Sequence, residues 1–327
     1  MPNNLLVYLT HPHVDTWNFK PQHREILQTL VPGLEVTVCY HSAEFLQKLP
    51  DAEAAIVWYF KKEWLSNAPR LKLICTPAAG NDWIEAEASE NLKISHGGFH
   101  GLMIAESVTG AIFYFCKAFH LSATLQKQRK WATKKVSDHI KSLYEANVTI
   151  LGFGRIGTTI GKVLKPFGCN ITAVKRAPVP VPDYFSQEDR IVTADQLAEV
   201  LNTTDHLIMV LPGGSETQGI FKREHFRALP KTCTLYNVGR GNVYKEEDLV
   251  AALNAGEIAG AYLDVFEKEP LPPESLLWDM SNVLIQPHLS AASPQYLELF
   301  VREFAERINS GESGGLLAPK SNDFQIE

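Results

Sequence analysis

The run "VTILGFGRIG" (residues 148–157) constrains this chain more than any other stretch. Its apolar start reads as a buried strand. Gly152, Gly154 and Gly157 then give the GxGxxG spacing of a strand–turn–helix that binds a dinucleotide. The first glycine permits the tight turn, the second lets backbone approach a pyrophosphate, and the third lets helix pack closely on strand. Arg155 and Ile156 open the following helix, which continues through "TTIGKVLKPFG" and aims its free N–H groups and positive dipole end at phosphate.

That turn lies near the middle of 327 residues, so a second packed unit must precede it. The first hundred residues alternate strands ("LLVYLT", "LEVTVCY", "AAIVWYF", "LKLICT", "LKISHG") with helical patterns such as "QHREILQTLV" and "SAEFLQKL". Strands separated by helices predict a parallel sheet covered on both faces. A long helix is expected from about Gly101 to about Lys130. A second alternation then starts at "NVTILG" and continues with "ITAV", "HLIMVLP", "CTLYNVG", "AGAYLDV" and "NVLIQPH". These six strands suit the doubly wound order of a dinucleotide fold. In "TADQLAEVLN", Thr193 is placed to cap a helix. "PQYLELFVREFAERI" (294–308) reads as a terminal amphipathic helix, and the Gly/Ser-rich residues 309–327 as an extended arm.

The expected fold class is therefore α/β, with two doubly wound parallel-sheet domains. Residues 101–291 would form a Rossmann dinucleotide-binding domain. Residues 1–100 and 292–327 would form a smaller flavodoxin-like substrate domain.

Composition excludes other classes. Charged residues make up 21% and the net charge is −6, which suits neither a nucleic-acid partner nor disorder. An anionic substrate must then be drawn by local cations. Five scattered cysteines (Cys39, Cys75, Cys116, Cys169, Cys233) form no CxxC pair and read as reduced core thiols, suggesting a reducing compartment. No metal site is expected. "MPNNLLVYLT" lacks the basic region of a secretory signal. The apolar run 102–119 carries Glu106 and Lys117 and is short for a membrane span, so a buried helix and a cytoplasmic protein are expected.

Eighteen positions beyond Gly157, where a ribose-binding acid would close the next strand, stand Lys175 and Arg176. An acid there would accept from a free 2′-hydroxyl and repel a 2′-phosphate, whereas cations do the reverse. These two residues point to NADP(H) as the preferred cofactor, with NAD as the alternative.

Three further runs end predicted strands, where open α/β sheets bind ligands. They are "YNVGRGNV" (236–243), "AGAYLDVFEKEPLPP" (259–273) and "VLIQPHLSAASP" (283–294). They offer Arg240, then Asp264 and Glu269, then His288. Reducing a 2-oxo acid needs a cation for the carboxylate and carbonyl, which the planar fork of arginine suits, and a proton donor near neutral pH, which histidine suits. Glu269 is the natural partner to orient His288. Taken singly, each residue also fits an ordinary loop.

Together "GFGRIG", "NVGRG", "LDVFEKEPLPP" and "QPHLSAASP" resemble the D-isomer-specific 2-hydroxyacid dehydrogenase family over nearly the whole chain. The resemblance implies that Arg240 binds the substrate carboxylate and carbonyl, and that Glu269 and His288 act as a pair, with His288 protonating the carbonyl oxygen. Asp264 would hold the nicotinamide carboxamide, Leu211 and Pro212 would lie along the adenosine, and Val238 and Gly239 would complete the cofactor site. "TPAAGNDWIE" (76–85) resembles the loop whose amides hold the substrate carboxylate, which implicates Ala79 and Gly80; the family commonly has glycine where Ala78 stands, and Pro77 is atypical. Trp58 and Tyr59 would approach the substrate and favour an apolar or small side chain over a phosphorylated one. "FHGLMIAES" resembles the segment crossing between domains, with Ser107 where relatives often carry a bulky residue or histidine. Trp131 resembles a tryptophan that some dimeric relatives extend into the partner's site, and simple interface packing accounts for it equally.

The expected function is reduction of a small 2-oxo acid (glyoxylate, hydroxypyruvate or an alkyl or aryl pyruvate) by NADPH to a D-2-hydroxy acid, in a homodimer, with no nucleic-acid or membrane partner. Formate oxidation is disfavoured because such relatives lack a Glu269 counterpart. Phosphite oxidation is disfavoured because no lysine lies in "TPAAGND". The alternative outside catalysis is a dinucleotide-sensing regulator like the family's corepressors, which can keep the same triad.

Overall fold

The computed structural model describes residues 3–80, 82–177 and 179–311. It divides the chain into two compact units, one of residues up to His100 together with those from Ala292 on, the other of Gly101–Ala291. The arm expected from residue 309 lies, from residue 312 on, outside the described residues.

The first unit is built on β1 (Asn4–Tyr8), β2 (Glu35–Val38), β3 (Ala54–Val57), β4 (Leu73–Thr76) and β5 (Lys93–His96), all parallel, in the order β2-β1-β3-β4-β5. This is the flavodoxin-like order. Ala54 to Val57 are all fully buried, which is why β3 reads as an unbroken apolar run rather than an alternation. α1 (Pro21–Leu30) and α2 (Ser42–Lys48) connect the strands, and α10 (Tyr296–Asn309), far along the sequence, packs on α1. One core gathers Leu6, Phe45, Val57, Phe60, Trp64 and Ile74.

The second unit carries α3 (Gly101–Cys116), α4 (Phe119–Lys127), α5 (Thr133–Ser137), β6 (Asn147–Leu151), α6 (Arg155–Leu164), β7 (Asn170–Lys175), β8 (Arg190–Thr193), α7 (Leu197–Leu201), β9 (His206–Met209), α8 (Arg223–Ala228), β10 (Thr234–Asn237), α9 (Glu246–Asn254), β11 (Gly260–Leu263) and β12 (Val283–Ile285). Its parallel sheet runs β12-β11-β10-β9-β6-β7-β8, the doubly wound dinucleotide order with the crossover between β6 and β9. The sequence suggested six strands, and the sheet has seven. The extra one, β8, is a four-residue edge strand with only Val192 buried, too short and too polar to announce itself.

The single long helix expected from Gly101 to Lys130 is a second correction. Ala118 adopts a left-handed conformation (φ 50°, ψ 38°) and separates α3 from α4, which are bent by 62°. No glycine or proline marks this break. α6 follows its pattern closely: Gly157, Ile160, Gly161 and Leu164 fall on one buried face at helical spacing. Thr193 caps as expected, its amide accepted by Gln196 Oε1 at 3.2 Å in a capping box. Among the described residues, no single helix is long and apolar enough to cross a membrane.

Candidate active site

In the second unit, β6 delivers the glycine turn. Gly152 has φ +101°, and a Cβ there would stand 2.6 Å from the carbonyl oxygen of Val210. A Cβ on Gly157 would stand 2.3 Å from the Gly152 oxygen, so helix α6 could not seat against the strand. Gly154 differs. It caps α6, and among the described residues nothing beyond its own chain neighbours and the backbone of α6 lies within 4 Å of where its Cβ would project. The first amides of α6, at Arg155 and Ile156, stand beside this space. A free cradle at a helix N-terminus is the setting a pyrophosphate requires, so the residues present fit a dinucleotide.

β7 ends in Lys175, followed by Arg176, with no acid at the corner. Arg176 Nη1 lies 2.5 Å from Glu216 Oε2, in the loop after β9, a partner sequence reasoning missed. Leu211 and Pro212 begin that loop. Gly239 backs onto it, since a Cβ there would come 2.5 Å from the Leu211 oxygen.

β10 positions Arg240 through Asn237, which is fully buried. The Asn237 side chain donates to the Arg240 carbonyl (3.0 Å) and accepts from the Gly239 amide (3.1 Å), so it fixes the turn that also holds Val238. Asn237 was not singled out in the sequence, although "NVGRG" contains it. Arg240 Nη1 donates to the Gly239 carbonyl at 2.8 Å.

Asp264 directly follows β11 and is buried to 1% exposure. Its Oδ1 accepts from the amides of Leu289 (2.8 Å) and Ser290 (3.0 Å), and its Oδ2 accepts from the Ser290 hydroxyl in a short bond. Burial raises the Asp264 carboxyl above its ordinary value, opposed by Ser290, the charge of His288 and the two amides. The Ser107 hydroxyl, on α3, donates to the Ser290 carbonyl at 2.8 Å and ties the same loop to the helix.

His288 sits in that loop with φ +55°, a conformation few non-glycine residues hold. Its Nδ1 lies 2.7 Å from Glu269 Oε2, and Glu269 Oε1 accepts from the Phe266 amide at 3.0 Å. Both side chains are 35% exposed, hence open to a ligand. Burial would raise the Glu269 carboxyl, yet bonding to His288, its charge, the Phe266 amide and the charge of Arg240 together hold it below the ordinary carboxylate range. Arg240, Glu269 and His288, up to 48 positions apart, are thus gathered at the C-terminal ends of β10, β11 and β12.

In the first unit, Trp58 follows β3 and joins an aromatic group with Trp17 (5.6 Å between ring centres) and Tyr296 (6.1 Å), its indole N–H donating to the Trp17 carbonyl. Tyr59, next along the chain, turns to the other side and packs on Tyr8 and Trp64. Pro77 to Gly80 follow β4. The Tyr296 hydroxyl donates to the Pro77 carbonyl (3.2 Å) and meets His100 Nε2 (2.9 Å), while the Gly97 amide donates to the Ala78 carbonyl (3.0 Å). Ala79 and Gly80 are half-buried. Trp17 and Tyr296 were missed because one sits in an apparent loop and the other on an amphipathic helix, where it reads as core.

A doubly wound sheet with a glycine cradle and an Arg–Glu–His group at its strand ends defines a dinucleotide-dependent oxidoreductase. Residues 109–290 match the family described as "D-isomer specific 2-hydroxyacid dehydrogenase, NAD binding domain", and the chain belongs to that family. It is 30% identical over 272 residues to glyoxylate/hydroxypyruvate reductase A of Salmonella paratyphi B, covering 80% of this chain and 84% of the relative. A D-isomer specific 2-hydroxyacid dehydrogenase family protein from Aeromonas salmonicida has the same fold (TM-score 0.80, 27% identity, 96% and 97% of the two chains). So does an NADPH-dependent glyoxylate/hydroxypyruvate reductase from Sinorhizobium meliloti, solved with NADP and sulfate (TM-score 0.77, 26% identity, 94% and 95%).

Proposed function

We propose that this D-2-hydroxyacid dehydrogenase works as an NADPH-preferring reductase of small 2-oxo acids. The observation that carries the reading is the Glu269–His288 pair at 2.7 Å with the charge of Arg240 acting on it. The nicotinamide, when bound, supplies a hydride to the substrate carbonyl carbon. Arg240 binds the carboxylate and polarises the carbonyl. Glu269 accepts from His288 Nδ1, so the proton delivered to the carbonyl oxygen comes from Nε2. Asp264 keeps the His288 loop in place and is assigned to the nicotinamide carboxamide.

Gly152, Gly154, Arg155, Ile156 and Gly157 are assigned to the pyrophosphate, Leu211, Pro212, Val238 and Gly239 to the rest of the cofactor, and Lys175 and Arg176 to the 2′-phosphate. The similar reductase from Sinorhizobium meliloti, solved with NADP, supports this choice. Backbone amides of Ala79 and Gly80 are assigned to the substrate carboxylate, with Trp58 toward its substituent; Tyr59, expected beside it, packs away on Tyr8 and Trp64. The aromatic group around Trp58 favours an apolar or small substituent, hence glyoxylate, hydroxypyruvate or an alkyl or aryl pyruvate.

A cytosolic homodimer completes the reading. Five unpaired thiols suit a reducing compartment, and Phe119, Trp131, Ile140 and Tyr144 are 50–97% exposed, as an interface would require. The decisive experiment is a panel of 2-oxo acids scored with NADPH and with NADH. Turnover of one member on the scale of about 1 to 1000 per second with NADPH is expected. No turnover with either cofactor overturns the reading.

A further inference from the structure

The cation assigned to the 2′-phosphate has a carboxylate partner within the protein. Arg176 follows β7, and Glu216 lies in the loop after β9. Between these strands runs β6, whose end continues into the glycine turn, so the ion pair bridges two strand ends about 10 Å apart, beside the turn. Both side chains are largely in solvent, at 84% and 77% exposure. An exposed pair of this kind shifts an equilibrium by a factor of only about 1.4 to 5. It is therefore weak enough for a ligand to displace.

The geometry points to Glu216 as the second half of a dual cofactor selector: it competes with the 2′-phosphate of NADPH for Arg176 and accepts from the free 2′-hydroxyl of NADH. The corner of β7 lacks the ribose-binding acid of an NAD site, and Glu216 brings a carboxylate to the same place from the neighbouring loop. With NADPH, Arg176 exchanges one anion for another of higher charge and more acceptor atoms, and Glu216 swings away. With NADH, Arg176 has no phosphate to leave for, and Glu216 stays within reach of the ribose. The pair thus lowers the preference for NADPH that Lys175 and Arg176 would otherwise impose. The inference rests on the NADPH reading above, and its test separates the two.

The test measures Kd by titration calorimetry, and KM, for NADPH and for NADH with Glu216→Ala, Arg176→Ala, the double variant, and Glu247→Ala as a same-charge control on α9; each change below is expected in Kd as in KM. Glu216→Ala should lower the NADPH KM about two- to fivefold and raise that for NADH by a similar factor. The NADPH effect should vanish in the Arg176→Ala background, because no competition remains. Glu247→Ala should move neither value. If Arg176→Ala raises the NADPH KM while Glu216→Ala leaves both unchanged, or acts no differently from Glu247→Ala, the selector is overturned and the NADPH reading stands. If Arg176→Ala leaves the NADPH KM at its wild-type value, the role given to Arg176 fails and the selector fails with it.

Discussion

His288 donates its backbone amide to the carbonyl oxygen of Asp264 at 2.9 Å while holding a left-handed φ of +55°. The same aspartate then accepts from the next two amides and from the Ser290 hydroxyl. A strained imidazole-bearing residue persists only where its surroundings over-determine it, and Asp264 supplies that constraint.

Asp264→Ala should therefore free the loop at His288. One buried amide, at Ser290, and one half-buried amide, at Leu289, lose their acceptor, at a cost of about 1 to 3 kcal/mol for the buried one. Hydrogen exchange at Leu289 and Ser290 should speed up, and kcat should fall at least tenfold. Unchanged protection at these amides would show that the loop is held by something else.

His288→Ala should cut kcat by roughly two orders of magnitude or more and leave cofactor affinity nearly unchanged. Glu269→Gln tests the orientation of that ring. The Glu269 carboxyl, held below its ordinary value, is ionised at neutral pH and accepts from His288 Nδ1. The amide keeps a similar shape but loses the charge, so kcat should fall about tenfold or more while cofactor affinity holds. Wild-type turnover in this variant would separate Glu269 from the proton transfer.

Two glycines of one turn should fail in different ways. Among the described residues, Gly154→Ala meets no atom within 4 Å outside its own turn and helix, so thermal stability should hold while cofactor KM rises about tenfold or more. Gly157→Ala drives a methyl to 2.3 Å from a backbone oxygen and should cost stability itself, about 1 to 3 kcal/mol by overpacking. Melting curves with and without NADPH distinguish them.

The second unit should lose stability in mild acid. His206 is 3% exposed, bonded to the Tyr236 hydroxyl, and burial pushes it down to about 4. Its contribution is complete above the unfolded value of 6.5. It shrinks as pH falls toward 4, because the unfolded chain takes up a proton that the native state refuses. Between pH 7 and 5 this amounts to about 2 kcal/mol. In denaturant titrations, His206→Gln should flatten that slope.

All five cysteines are buried and free, and burial raises the thiols of Cys39 and Cys169 to about 11 and Cys75 to about 12. A thiol reagent should find almost no reactive group in the native protein and five after denaturation. Fast labelling of the native state would contradict the buried placement.

Sequence made the chemistry more legible than the local geometry. The glycine turn and Arg240, Glu269 and His288 stand in runs whose residue types carry their purpose, so both the turn and the triad could be named. Glu216 could not be, because only the sheet order brings the loop after β9 near the corner of β7. The break at Ala118 escaped for another reason: its residues favour a helix, and tertiary packing imposes the left-handed turn. Tyr296 was hidden by its helical spacing, which is the same for an apolar core residue as for one whose hydroxyl reaches Pro77 and His100.

That last arrangement bears on biosynthesis. α10 packs on α1 and supplies the hydroxyl that secures the turn after β4, yet nearly two hundred residues of the second unit are made between them. Strands β1 to β5 must wait on the ribosome, their sheet incompletely covered, until α10, made after the second unit, emerges. The second unit, made later than β1 to β5, is the part that can finish folding first.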